Sequence, residues 1–316
     1  MSRRLLHRRD LGTLAGLVLL SLALWAATPH FATVDNLLNV AEQSAVVGVL
    51  AVGMTFVILT GGIDLSVGSL VALCGIVAAL VLRSSASVSL AVLCGVGTGV
   101  MAGALNGVLV TAGRLPPFIA TLGMMSAARG VALMLADGRP ISGFPDALRA
   151  LASARWVGVP LPIIVLLALY GIAHLVLTRT VFGRHVYAIG GNEEAATLAG
   201  ISVGRHKVVV YAMAGASAAT CALLLMARLN SAQPIAGIGY ELDAIAAVVI
   251  GGTSLLGGAG SVGGTLAGAL IMSVLRNGLT LLGVSSYVQQ VAIGVVIVAA
   301  VLVDMTLRRR AERRTA

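Results

Sequence analysis

The chain has 316 residues, 58% of them hydrophobic and only 10% charged, and a formal net charge of +9. An ordinary soluble domain carries about 25% charged residues, so this composition excludes a water-soluble globular enzyme and points to a chain that lives in a bilayer. The positive balance does not indicate nucleic acid, because the basic residues gather at the two ends and in short loops, and aromatic residues make up only 4%.

Apolar runs of about 20 residues match the length of a membrane-crossing helix, and only helices or closed barrels satisfy every backbone polar group in lipid. The expected fold is all-α: a polytopic membrane protein of about ten transmembrane helices, with both termini cytoplasmic. Residues 1–10 form a basic N-terminus with Arg3, Arg4, Arg8 and Arg9. A first span, 11–27, is read as uncleaved. The second, 40–60, has Asp35 and Asn36 at its outer end. It leads into a tight glycine turn, Thr60-Gly61-Gly62-Ile63-Asp64-Leu65-Ser66-Val67-Gly68-Ser69, with Asp64 at the start of the third span, 65–82.

The fourth span, 88–112, carries Gly95, Gly99, Gly103 and Gly107. A spacing of four places them in one groove, where another backbone can approach. Asn106 adjoins that groove. Arg114-Leu115-Pro116-Pro117 makes an inner turn before the fifth span, 117–136. Within that span Arg129 is the one charge set well inside a run. It is either a functional ion or a tie to backbone carbonyls. A mixed outer segment, 137–160, holds Arg139, Arg149 and Arg155 and a short surface helix at 145–152.

After the sixth span, 161–178, comes a polar island, 179–207. Asn192 is a good N-cap, Glu193 and Glu194 place negative charge on a first helical turn, and Gly200 can end the helix. The island is either a solvated connector or a docking knob for a soluble partner. The seventh span is 208–228. An outer turn, 230–240, precedes a short eighth span, 242–255, which gives way to Gly257-Gly258-Ala259-Gly260. The ninth, 262–282, repeats the glycine stripe with Gly260, Gly264 and Gly268, and the tenth, 287–303, ends before Asp304 and a basic tail, 305–316. In this layout fourteen of the 21 arginines and lysines lie inside and four outside, the asymmetry that membrane topology demands. A weak internal echo relates 58–68 to 249–263, and glycine-broken helices are where transporters place pathways.

The chain has no fuel of its own. Lys207 is its only lysine and Val208 follows it, so the nucleotide-binding G-x-x-x-x-G-K-[ST] pattern is absent. All twelve acids are placed at span ends, in loops or in tails, which leaves no proton or sodium site at mid-membrane. The five histidines are scattered and Cys74, Cys94 and Cys221 sit inside apolar runs. No catalytic residue, metal or cofactor is expected. Asn106, Thr121, Asn230, Gln233 and Asn277 are polar, uncharged and at or near spans, so with Arg129 they are the candidate pathway residues.

Several co-linear stretches resemble one family: 51–55 with 62–69, then 117–123, Gly190-Gly191-Asn192-Glu193, 227–234, and the longest, 239–254. The sequence from about Asn36 to Asp304 resembles the inner-membrane permease subunits of ribose-type sugar ABC importers. The resemblance implies a transport subunit rather than an enzyme, working by alternating access in a bacterial inner membrane. It implies a second permease copy or a paralogue, two cytoplasmic ATPase subunits or one fused double ATPase, and a periplasmic sugar-binding protein. Asn192, Glu193, Glu194 and Thr197 would then belong to a coupling helix that docks on the ATPase. Arg139, Arg149 and Arg155, outside against the positive-inside rule, would meet acids on the binding protein. Related permeases for autoinducer-type sugars, nucleosides or branched-chain amino acids, and a secondary carrier working alone, are the alternatives.

Overall fold

The computed structural model describes residues 3–156 and 158–312, with side chains for all of these except 3–11, 149, 151–153, 300, 303–305 and 307–312. Arg313 and Arg314 therefore lie outside the described residues, and the side chains of Arg3, Arg4, Arg8, Arg9, Arg149, Asp304 and the 308–310 arginines lie outside the described side chains. Thirteen helices follow one another: α1 (Arg3–Ala27), α2 (Val34–Leu59), α3 (Val67–Ser85), α4 (Val88–Thr111), α5 (Pro117–Leu135), α6 (Asp146–Ser153), α7 (Leu161–Arg179), α8 (Val181–Gly191), α9 (Glu193–Leu198), α10 (Val203–Leu229), α11 (Tyr240–Ile250), α12 (Val262–Leu281) and α13 (Ser286–Glu312). The only sheet among the described residues is two short antiparallel pairs, β1 (Ile141–Ser142) with β4 (Ser231–Ala232) and β2 (Arg155–Trp156) with β3 (Val159–Pro160).

Each expected apolar run is helical except the end of the eighth, 242–255, where the helix stops at Ile250 and 251–255 turns. Among the described residues, seven helices are long and apolar enough to cross a membrane: α2, α3, α4, α5, α7, α10 and α12. The apolar parts of α1 and α13, Gly12–Ala27 and Ser286–Ala299, are shorter, and α11 has only 11 residues.

The bundle is built around α2. Its apolar window is 83% buried, whereas those of α4 and α5 are 22% buried. Apolarity alone does not set this, since lipid also accepts an apolar face; α2 is central because it packs against α7, α10, α11 and α12. The stripe on α4 explains the tightest pairing. A Cβ on Gly99 would strike the carbonyl of Gly215, one on Gly103 the backbone of Tyr211, and one on Gly107 that of Val208, all on α10. Backbone thus lies on backbone, and the packing role read from the spacing is the one observed. On α12, Gly268 meets α11 at Ala247 in the same way.

Two glycine turns close the bundle at one end. The connection between α2 and α3 meets the connection between α11 and α12 where the Gly258 N–H donates to the Leu59 carbonyl at 2.9 Å. Gly190 of α8 lies against both partners, and a Cβ there would overlap Leu59 and Gly258. The Tyr187 hydroxyl of α8 donates to the Gly260 carbonyl at 2.9 Å. The polar island is thus not a loop with one short helix. It holds two helices, and α8 buries Gly183, Val186 and Ile189 against the bundle.

Candidate transport site

At the α8–α9 end the sequence builds a small projecting knob. The Asn192 side chain accepts the Ala195 N–H at 2.9 Å, and Gly200 turns the chain back at φ +82°. Glu193 is anchored by Lys207 of α10 at 2.7 Å. Ala196 faces inward, while Glu194 and Thr197 are exposed and Leu198 is 89% exposed. At its base His185 of α8 and His206 of α10 share a hydrogen bond of 3.0 Å, and Phe182 stacks on His206. The knob is short, stiff and fixed to two helices.

Beneath it, the α2–α3 turn is held by a buried polar cluster. Both the amide and the hydroxyl of Ser66 donate to Asp64 Oδ1, at 2.8 and 2.6 Å. Asn106 of α4 donates to the Ser66 hydroxyl at 2.9 Å, and Thr121 of α5 lies 3.3 Å from the Ile63 carbonyl. Asp64, Asn106 and Thr121 are all fully buried. Asp64 Oδ2, Asn106 Oδ1 and the Tyr211 hydroxyl have no partner among the described residues. Asp64 and Asp243 lie at span ends, as the acids were placed from sequence, but both are buried, Asp243 at 6% exposure. A sequence shows that an acid adjoins a turn; it does not show that three helices close over it.

The remaining predicted residues lie elsewhere. Arg129 donates to the carbonyls of Pro234 and Ala236 at 2.8 and 2.7 Å, which clamps α5 to the segment entering α11. Of its two readings, the tie to carbonyls is the arrangement observed. Asn230 ends α10 at φ +50°, and its side chain accepts the Phe144 N–H at 3.1 Å. Gln233 borders a narrow cleft beside Ser231 and Ala236. Asn277 of α12 pairs reciprocally with Asn36 of α2, at 2.9 and 3.1 Å. The six candidates therefore form three separate groups and not one lining. Arg139 and Arg155 are exposed near the β1–β4 and β2–β3 pairs, and Arg149 lies on α6.

Sequence reasoning missed a cavity with several polar walls. It lies between α11, α12 and α13 and has a volume of about 270 Å³. Its polar walls include Tyr240, Asp243, Arg276, Gln289 and Gln290, and Arg276 donates to Asp243 at 2.8 Å. The signal was present as one acid and one base inside two neighbouring apolar runs. No group of three His, Cys, Asp or Glu gathers as a metal site among the described residues.

The comparisons with known proteins agree with this architecture. The family model described as "Branched-chain amino acid transport system / permease component" matches residues 36–301. The chain belongs to this permease family. It is 48% identical over 296 residues to the ribose import permease protein RbsC of Escherichia coli (strain K12), covering 92% of each chain. It is 47% identical over 298 residues to the ribose import permease protein RbsC of Bacillus subtilis (strain 168), covering 94% of this chain and 92% of that one. It is 37% identical over 293 residues to the L-arabinose transport system permease protein AraH of Escherichia coli (strain K12), covering 93% and 89%. No solved structure matches the chain. This permease is a multi-pass membrane protein of the inner membrane.

Proposed function

We propose that this permease is the membrane subunit of an ATP-binding cassette importer for a monosaccharide, ribose or a related pentose or hexose, handed over by a periplasmic binding protein. The observation that carries the reading is the knob at α9, taken with the substrate class in the names of its relatives. A capped helix with Glu194, Thr197 and Leu198 outward suits a cleft on a soluble partner. Its base lies on the two turns that interrupt the bundle, so force applied there reaches both. Hydrolysis belongs to a partner: two cytoplasmic ATPase subunits or one fused double ATPase. A second permease copy or a paralogue completes the pathway, and alternating access moves the sugar.

In this reading α1, α11 and α13 join the seven long helices as spans, giving ten. The charge asymmetry supports a cytoplasmic position for both termini, the Arg114 turn and α8–α9. Segment 137–160 is then periplasmic, and Arg139, Arg149 and Arg155 meet acidic residues of the binding protein. Asn106, Thr121, Arg129, Asn230, Gln233 and Asn277 hold the walls of the route, each where a helix breaks or two helices meet.

The test is reconstitution in liposomes with the ATPase, the binding protein and labelled ribose. Uptake that requires ATP and all three components is the expected result. Concentrative uptake by the permease alone makes it a secondary carrier. Within the complete complex, Glu193→Lys with Glu194→Lys is expected to abolish uptake while leaving membrane insertion intact, because it reverses the charge of the knob. Wild-type uptake by that double variant removes α9 from the coupling role.

A further inference from the structure

Beyond the coupling end, the structure holds a polar cavity to which no role has yet been given. Its volume, about 270 Å³, falls just below the ~300–1,000 Å³ of drug-sized ligand sites, which is the size class of one sugar ring. Tyr240 and Asp243 come from α11, Arg276 from α12, and Gln289 and Gln290 from α13, and the lining is completed by the apolar side chains of Ile238, Ile293 and Ile297. On the far side of the Asp243–Arg276 pair lies a second, smaller cavity of about 30 Å³, lined also by Gln43 and Ser273. The ion pair is the partition shared by both.

The partition is only half closed to solvent: the Asp243 side chain is 8% exposed and that of Arg276 44%. Guanidinium offers five N–H donors and carboxylate about four lone-pair sites, so one mutual bond leaves most of their capacity free. The Tyr240 hydroxyl and the Gln290 amide have no hydrogen-bond partner among the described residues. Gln289 is different: its amide nitrogen is spent on Thr280 and the Val284 carbonyl, at 3.2 and 2.9 Å, which fixes the start of α13.

We propose that this cavity is a contact site for a neutral polyhydroxyl solute, a monosaccharide on its way through the permease. Adjacent hydroxyls are at once donors and acceptors, so they bridge the carboxylate and the guanidinium without upsetting the balance of charge. The amide of Gln290 and the Tyr240 hydroxyl take a further hydroxyl, and the isoleucines face the C–H surface of the ring. A charged solute is disfavoured, because it must compete with the ion pair for one of its members. The Asp243–Arg276 pair, which bridges α11 and α12, lines both cavities, so parting it joins the larger cavity to the smaller.

The proposal rests on the importer reading, and the test separates the two. The complete complex with ATPase and binding protein is reconstituted, and uptake of labelled ribose is measured as rate and KM. Gln290→Leu and Tyr240→Phe are expected to slow uptake about threefold to tenfold each, the worth of one hydrogen bond to the solute, with melting temperature unchanged. Asp243→Asn combined with Arg276→Gln is expected to slow it further. Exchanging the pair, Asp243→Arg with Arg276→Asp, is the control for a purely structural role. If the exchange restores both melting temperature and uptake, the pair only ties α11 to α12 and the proposal fails. Wild-type rate and KM in Gln290→Leu and Tyr240→Phe also overturn it, while ATP-dependent uptake in the same vesicles leaves the importer reading standing.

Discussion

The two glycine turns that touch at Leu59 and Gly258 are written in similar letters and built in opposite ways. The first, 60–66, is braced by buried side chains: its own Asp64 and Ser66 bond to each other, and Asn106 of α4 and Thr121 of α5 close over them. The second, 251–261, is braced chiefly by backbone, with the Ser254 hydroxyl accepting the Leu256 N–H and the Tyr187 hydroxyl donating to the Gly260 carbonyl. The Gly257 N–H bonds to Ser254, the Ser254 N–H to Ala259, and Gly252, Gly257 and Gly258 take positive φ. Leu256 at its tip is 78% exposed. The first turn follows a 26-residue helix, the second an 11-residue one. A network of buried side chains has one good arrangement, whereas a glycine turn without such a network has several. The comparison teaches that the first turn is held by a buried polar network and the second chiefly by its own backbone.

The harshest way to break this comparison is to separate the two turns. Gly190→Val places a branched side chain where a Cβ already overlaps the Leu59 carbonyl and the Gly258 amide. Both are backbone, so neither can rotate away. A cost of about 3 kcal/mol or more is expected, with loss of ordered assembly, read as a lower melting temperature and poor recovery from the membrane. A stable, active Gly190→Val permease shows that the turns do not need each other.

Asp64 tests the first turn alone. Asp64→Leu leaves the Ser66 amide and hydroxyl without their acceptor in a site with no water access, and is expected to cost about 2–4 kcal/mol. Asp64→Asn keeps an oxygen where Oδ1 stands and removes the burden of a buried charge, so its cost is expected to stay below about 1 kcal/mol. Thermal denaturation in detergent compares the two. Equal losses for both variants show that the charge itself, and not the hydrogen-bonded oxygen, holds the turn.

How much of this could be read beforehand follows from the range of each interaction. The helices were legible because an apolar run of sufficient length has one solution in lipid. The α4 stripe was legible because a spacing of four makes a groove whatever lies in it. The cap at Asn192 and the stop at Gly200 were legible because they act within one turn of chain. The helix α8 was not: only its contacts show why Gly183, against α7, and Gly190, against Leu59 and Gly258, are small. The burial of Asp64 depends on α4 and α5 arriving over it, and the Asp243–Arg276 pair joins positions 33 residues apart. Such meetings are fixed by helix packing, which a linear reading does not contain.

The smallest effect sharpens the comparison most. Thr253, in the second turn, is fully buried, and its hydroxyl has no hydrogen-bond partner among the described residues. Removing a hydroxyl that makes no bond relieves a desolvation cost, and valine keeps the shape of the side chain. Gly260 leaves the methyl group its place, since it is the absent Cβ of Gly260 that gives Thr253 room. Thr253→Val is therefore expected to leave stability unchanged or to raise it, by about 0–1 kcal/mol. The same kind of change in the first turn, Ser66→Ala, removes a donor to Asp64 and an acceptor for Asn106 and is expected to destabilise by about 1–3 kcal/mol. Opposite signs for these two variants in one melting experiment mark one turn as held by its side chains and the other as held by its backbone. If Thr253→Val melts as early as Ser66→Ala, the second turn depends on its buried side chains as much as the first, and the division between a side-chain-held and a backbone-held turn is wrong.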